Sequence, residues 1–196
     1  MADTKHLLIN VILYGLLPLW GIAGFIDWVC HRATHVERTS GLKESLIHSL
    51  MGLQLGIPIL LCLVFEVNVL IFFICALMWV LHEIVAHWDV HYASPLRTIS
   101  IWEVHVHNYM ATVPLYLFML IVVINWDVAV KAVTFQWSGQ FTLNRLASPP
   151  GSPAYLPEYM AFMTVLCVLP YLEENLRCLR YARSIRVAKA ARADLQ

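Results

Sequence analysis

Long apolar stretches alternate with short polar segments along most of the chain. Five such stretches lie at about 7–29, 46–65, 69–85, 110–126 and 159–172. The fifth is short and contains Pro170. An α-helix needs about 20 apolar residues to cross the roughly 30 Å of hydrocarbon in a bilayer. The pattern therefore predicts an all-α, polytopic membrane helix bundle with about four to five transmembrane helices.

The composition supports a chain that lies in lipid. The protein has 196 residues, of which 60% are hydrophobic and only 13% charged, and its mean hydropathy is +0.67. A soluble domain usually has about 25% charged residues. We expect one integral-membrane domain over 1–196, with an outer loop at 127–158 and a basic tail at 175–196. The bilayer is then its medium, and no nucleic-acid partner is expected.

Two local patterns refine this arrangement. No basic segment or small-residue cleavage site accompanies the first apolar run, so Leu7–Val29 is expected to be a retained span rather than a signal peptide. Residues 133–143 alternate apolar and polar side chains around Ser138-Gly139, which favours a small hairpin or interfacial flap in the outer loop.

Lysine and arginine are distributed unevenly between the segments that join the spans. With the N-terminus outside, ten of the 13 basic residues lie on the inner side, six of them in the tail, and only Lys5, Lys131 and Arg145 lie outside. Cytoplasmic segments carry an excess of Lys and Arg. The sequence predicts an external N-terminus and a cytoplasmic C-terminus, in a bacterial inner membrane or its equivalent. The tail is expected to be helical, either on anionic headgroups or in solvent.

Eight of the nine histidines gather at the inner ends of four successive spans, and only His6 lies elsewhere. They are His31, His35, His48, His82, His87, His91, His105 and His107. Ionisable groups near the membrane are costly and tend to be functional. Any one of these histidines, taken alone, could be an ordinary polar residue of the bundle. The gathering of eight predicts a metal site at the cytoplasmic helix ends.

Acidic residues recur four positions before several of these histidines. Asp27-His31-His35 and Glu83-His87-His91 share this spacing, and Glu44 and Glu103 stand in the same relation to His48 and His107. Residues at i and i+4 share a helix face. A carboxylate there can orient a metal-bound imidazole or bind the metal itself. Asp27, Glu44, Glu83 and Glu103 are therefore candidate ligands or supports of ligands.

The supply of donors bears on the number of metals. A tetrahedral zinc site uses three or four donors, so eight imidazoles exceed what one zinc needs. Two metals with an open position fit better, although imidazole suits zinc, copper, iron and nickel alike. Glu83 follows His82 directly, but the zinc-protease spacing His-Glu-x-x-His is absent because His87 comes one residue late.

The histidine pattern over residues 27–107 resembles that of the integral-membrane, histidine-box di-iron family of fatty acid hydroxylases, desaturases and alkane hydroxylases. The resemblance rests on His31 and His35 as the first box and His82 and His87 as the second. His91, His105 and His107 stand in for the last box, and His48 is an extra ligand. The adjacent His-His doublet of that family is absent here.

The resemblance implies a membrane-bound oxidoreductase with two non-haem Fe ions. Such an enzyme activates O₂ to hydroxylate or desaturate an apolar, lipid-like substrate, and a separate electron-donor protein supplies electrons. No catalytic residue beyond the metal ligands is expected. Two alternatives stay open, a zinc-dependent membrane hydrolase and a non-enzymatic protein that handles haem or a metal.

Overall fold

The computed structural model describes residues 2–194, which form an all-α bundle. The helices are α1 (Ala2–Val11), α2 (Leu17–Ala33), α3 (Gly41–Val64), α4 (Val69–Ala93), α5 (Ile101–Ile124), α6 (Trp126–Val133), α7 (Tyr155–Met163) and α8 (Leu169–Ala193). A π-helical turn, Ile12–Leu16, joins α1 to α2, and a second, Thr164–Val168, joins α7 to α8.

Five helical segments within the described residues are long and apolar enough to cross a membrane. They are Thr4–Ala33, Gly41–Val64, Val69–Ala93, Ile101–Ile124 and Tyr155–Ala193. Many large apolar side chains on their outer surfaces are exposed, among them Leu7 at 63% and Trp102 at 77%. A contiguous apolar exterior is the surface expected in contact with acyl chains. The predicted all-α polytopic bundle is confirmed.

The helices extend beyond the apolar runs at one end of the bundle. The third run was expected to end near residue 85, but α4 continues to Ala93, and α5 begins at Ile101 rather than near residue 110. Ser100 caps α5, since its side chain accepts a hydrogen bond of 3.2 Å from the backbone N–H of Glu103. The ends of α2 and α4 and the starts of α3 and α5 carry most of the histidines, and we call this the histidine end.

The last segment is one helix from α7 to the basic tail. Pro170 does not interrupt it, because this proline directly follows the π-helical turn in the first turn of α8. The predicted helical tail is confirmed as far as Ala193. From Arg183 onward every described side chain is exposed, so the end of α8 projects from the bundle.

The opposite end of the bundle is closed by apolar packing. Leu13, Leu17 and Trp20 pack with Tyr155 and Tyr159 from α7, and the Tyr155 hydroxyl donates a 2.7 Å hydrogen bond to the carbonyl of Leu13. This contact joins the first span to the last.

Of the small hairpin or interfacial flap expected over residues 133–143, the hairpin is wrong, because these residues form no β-strand. Backbone groups of the segment after α6 bond instead to the region where α3 ends and α4 begins. Leu70 N–H donates to Gln140 O at 3.3 Å, Glu66 N–H to Asn144 O at 2.8 Å and Leu146 N–H to Val64 O at 3.0 Å. The alternation of apolar and polar residues there reflects side chains such as Trp137, which packs on Phe73, rather than a β-ladder.

Candidate metal centre

Polar side chains from five elements of the bundle and from Arg97 converge at the histidine end. We call this set the buried polar cluster, and it consists of Asp27, His31, Glu44, His48, Asp89, Arg97, Glu103, His107 and Glu174. Each of its five carboxylates is no more than 3% exposed. Burial of an ionised carboxylate is unfavourable unless it is paired or binds a metal. This concentration of charge therefore needs compensation inside the protein.

His31 lies at the centre of the cluster and is fully buried. Its Nδ1 is 3.0 Å from Glu174 Oε2 on α8, and its Nε2 is 3.3 Å from Glu103 Oε1 on α5. Asp27, one turn earlier on α2, lies 3.6 Å from the same Nε2 and also contacts His107 Nε2 at 2.9 Å. The i, i+4 spacing on α2 and on α5 thus places two acid–histidine pairs against each other.

His48 forms the second half of the cluster. Its ring stacks on that of His31, with the centroids 4.6 Å apart, and its Nε2 is 3.0 Å from Asp89 Oδ2 on α4. Its Nδ1 is 3.9 Å from Glu174 Oε1. The two oxygens of Glu174 therefore each approach one nitrogen of the stacked imidazoles, Oε2 that of His31 and Oε1 that of His48.

Arg97, from the connection between α4 and α5, is the single guanidinium among the described members of the cluster. Its Nε donates to Glu44 Oε1 at 3.1 Å and its Nη1 donates to Glu103 Oε2 at 2.9 Å. Burial alone would lower the pKa of Arg97, but the hydrogen bonds to Glu103 and Glu44 outweigh it and raise the pKa above its usual value. Arg97 is thus a fixed positive charge that holds two carboxylates in place.

Two groups of side chains have donor atoms close enough to share an ion. One atom from each of Asp27, His31, Glu103 and His107 lies within 4.8 Å of the others, and the same is true of His31, Glu44 and His48. Several buried acceptor atoms have no hydrogen-bond partner among the described residues. They are Asp27 Oδ2, Asp89 Oδ1, Glu174 Oε1 and His48 Nδ1. Atoms of this kind, buried and rich in lone pairs, fit a cation.

Six of the twelve residues proposed from sequence meet in this cluster: Asp27, His31, Glu44, His48, Glu103 and His107. His82 is buried but lies outside it, and Glu83 is half-buried on another face of α4. The remaining four histidines are exposed and are not brought to the cluster: His35, His87, His91 and His105. Metal binding by these four histidines stays a prediction, and their exposed positions do not support it.

Three members of the cluster were not proposed as ligands from sequence: Asp89, Arg97 and Glu174. Helical rotation relates Asp89 to His82, because the two are seven residues apart and lie on one face, whereas His87 points about 140° away from His82. On α4 the buried face therefore excludes Glu83, His87 and His91 together.

Glu173 and Glu174 take different roles although they are adjacent. Glu173 lies at the surface and accepts hydrogen bonds from Arg177 and, at 2.8 Å, from Arg32. Glu174 is fully buried and contacts His31 and His48, and Arg177 Nη2 approaches its Oε2 only to 4.0 Å. Glu37, which Arg177 also contacts, lies between α2 and α3, outside the membrane segments. Burial raises the pKa of Glu37, but its backbone N–H and the charge of Arg177 outweigh burial and lower the pKa below its usual value.

A cavity of about 460 Å³ extends from the cluster into the membrane segment. Its polar end is formed by His48, Ser49, His82 and Asn175, and its other walls are mainly apolar, with Trp20 among them. Ligand pockets of proteins commonly have this volume and this mixture of apolar walls and few polar groups.

Comparison of the chain with protein-family models, with characterised protein sequences and with solved structures finds no match.

Proposed function

We propose that the protein is a membrane-bound oxidoreductase that holds two non-haem iron ions in the buried polar cluster and oxidises an apolar, lipid-like substrate with O₂. The observation that carries the proposal is the charge of the cluster. Among residues 2–194, five carboxylates and one guanidinium lie in it. Arg177 approaches Glu174 only to 4.0 Å and pairs more closely with Glu37 and Glu173, so we assign its charge to those two residues. With neutral imidazoles, four negative charges then remain in the cluster, and two divalent cations balance that charge.

The donor set supports two adjacent ions. Asp27, Glu103 and His107 would hold one, Glu44 and His48 the other, and His31 lies within reach of both groups. Di-iron centres in helix bundles combine carboxylates and histidines from facing helices in this way. Bound irons would supply the O₂ chemistry and the electron transfer, while Arg97 orients Glu44 and Glu103. This mixed set differs from the all-histidine arrangement that the resemblance implied.

The cavity supports an apolar substrate. It reaches His48 at one end and is lined along α3 by residues such as Leu53, Ile57 and Leu60. A substrate chain in this space would lie beside the cluster and away from water. Hydroxylation or desaturation of a C–H bond also needs electrons, so we propose a separate electron-donor protein as partner.

The alternatives fit the cluster less well. A haem between two histidines needs space for the macrocycle, whereas the rings of His31 and His48 stack on each other at 4.6 Å. A zinc hydrolase needs three protein ligands and a bound water, which would leave several of the buried carboxylates without a cation. A transporter would have its polar groups near the midplane on both sides of a pathway.

Metal content and oxygen consumption test the proposal. Protein purified in mild detergent from iron-supplemented cells should contain about two irons per chain, as the charge balance requires. With a chemical reductant and membrane lipid, it should consume O₂, and chelator-treated protein should not. One zinc per chain without iron would overturn the oxidoreductase and favour the hydrolase, and a Soret absorption band would favour haem.

We also propose that the N-terminus is external and the C-terminus cytoplasmic, in a bacterial inner membrane or its equivalent. The excess of Lys and Arg in the tail and at the histidine end supports this orientation. Reporter fusions after residues 40 and 95 and at the C-terminus should report the cytoplasm, and one near residue 140 the outside. The reverse pattern would overturn the orientation but not the cluster.

A further inference from the structure

His82 lies within the apolar run 69–85 of α4, three residues before the end of that run and about 16 Å from the helix end at Ala93 by the rise of 1.5 Å per residue. It is only 4% exposed, and its Nδ1 has no hydrogen-bond partner among the described residues. It belongs to neither group of donor atoms that could hold an ion. A buried polar side chain without a hydrogen-bond partner is unfavourable, so a partner for this imidazole is expected.

The side chain of His82 forms part of the cavity wall, and so does that of Ser49 across the cavity on α3. Asn175 donates a 2.7 Å hydrogen bond to the Ser49 hydroxyl, so this pair is already satisfied. His82 is therefore the polar side chain that α4 contributes to the cavity wall.

The described lining residues include no lysine, arginine, aspartate or glutamate. A charged group inside the cavity would therefore be buried without a counter-charge, which is strongly unfavourable. The cavity favours a ligand whose enclosed part is uncharged.

The shape of the cavity is set by α3 and the last helical segment. Along α3 it extends from His48 to Leu60, about 18 Å at 1.5 Å per residue. Gly52 and Gly56 lie on this wall, and a Cβ at either position would meet nothing within 4 Å. Leu53 on α3 and Leu172 on α8 line the cavity and are also 60% and 52% exposed. The opening thus faces the bilayer between these two helices.

We propose that His82 is a substrate-binding residue rather than a metal ligand, and that it hydrogen-bonds the uncharged polar group, a hydroxyl or a carbonyl, of a long unbranched chain that enters the cavity from the bilayer. That the bound chain is a substrate rests on the proposed function. The binding itself requires no metal.

Binding of radiolabelled hexadecanol and hexadecane to the protein in lipid nanodiscs tests this, with empty nanodiscs as the blank. His82→Leu should weaken hexadecanol binding about tenfold, as for the loss of one hydrogen bond of about 1.4 kcal/mol, and leave hexadecane unchanged. His82→Asn keeps a hydrogen-bonding side chain at this position and should retain the preference for the alcohol. Palmitate should bind more weakly than hexadecanol.

A matched glycine pair locates the site. Gly56→Leu fills the cavity and should abolish binding of both probes, whereas Gly15→Leu, which also enters open space but lies outside the cavity, should leave both unchanged. The proposal is overturned if His82→Leu leaves the preference for hexadecanol intact, if His82→Asn loses it equally, or if Gly56→Leu still binds. Palmitate bound as tightly as hexadecanol would overturn the uncharged ligand.

Metal content, measured on the same samples, separates the two proposals. Hexadecanol binding that depends on His82 in a protein without iron would sustain the ligand site and overturn the di-iron function. Two irons per chain, together with hexadecanol binding that does not change when His82 is replaced, would sustain the di-iron function and overturn the ligand site. If His82→Leu fails to fold, His82→Asn and the glycine pair decide.

Discussion

At the end where α7 begins, Leu13, Leu17 and Tyr155 pack as an apolar core, whereas the histidine end buries five carboxylates around His31. Packing of apolar side chains stabilises the fold directly. Buried charges instead weaken it when their partners are incomplete, and replacement by apolar residues is often neutral or stabilising. The apolar end of the bundle thus stabilises the fold, whereas the histidine end is the region where we propose that metal binds.

The largest effect is expected from His31→Ala at the histidine end. His31 contacts Asp27, Glu103 and Glu174, so its removal leaves three carboxylates without their shared partner. We expect fewer than one metal per chain and a destabilisation of about 3–5 kcal/mol. Elemental analysis and thermal unfolding in detergent measure the two. Retention of two metals would show that His31 is not the shared residue.

Leu13→Ala tests the apolar end and should separate stability from metal binding. Leu13 is 2% exposed and packs in the apolar core. The substitution should cost about 3 kcal/mol, as for a buried leucine that leaves a cavity. The variant should keep its full metal content in the same assays. A parallel loss of metal would mean that the two ends are coupled.

Glu174→Gln and Glu173→Gln form a matched pair at adjacent positions. Glu174 contacts His31 and His48, so its substitution should weaken metal binding about 10- to 100-fold. Glu173 contacts Arg32 and Arg177 at the surface, so its change should alter stability by less than about 1 kcal/mol and leave the metal in place. Metal titration after chelation measures both. Equal behaviour of the pair would contradict the inward position of Glu174.

The smallest effect is expected from the exposed histidines. Changing His35, His87, His91 and His105 to alanine, singly and together, should leave metal content and turnover within error, because surface changes usually alter stability by less than about 0.5 kcal/mol. Loss of metal in His87→Ala would restore the histidine-box arrangement expected from the sequence. That result would require α4 to be rotated from the position described.

The helices and about half of the cluster residues could be predicted from the sequence. Apolar runs of sufficient length predict spans, and the acid-x3-His spacing on α2, α3 and α5 identified Asp27, Glu44 and Glu103 with their histidines. The same spacing failed on α4, because periodicity gives the residues that share a face but not which face turns inward. Glu174 was not predicted for the same reason: Glu173 and Glu174 are both glutamates, and the sequence does not show which of the two faces the interior.

Arg97 could not be found from spacing at all. It lies in the α4–α5 connection, where no periodicity applies, and reaches the cluster only because the helices bring that connection against Glu44 and Glu103. Long-range convergence of this kind depends on the packing of the whole bundle.

The π-helical turn between α7 and α8 has a consequence for insertions and deletions. An i→i+5 turn accommodates one residue more than α-helix does, and one residue corresponds to about 100° of rotation. Tyr155 and Glu174 are nineteen residues apart, which in uninterrupted α-helix would place them about 100° apart. With one residue absorbed by the turn, both face the bundle. A single-residue deletion within Thr164–Val168 should therefore be tolerated, whereas the same deletion elsewhere between Tyr155 and Glu174 should turn the carboxylate away.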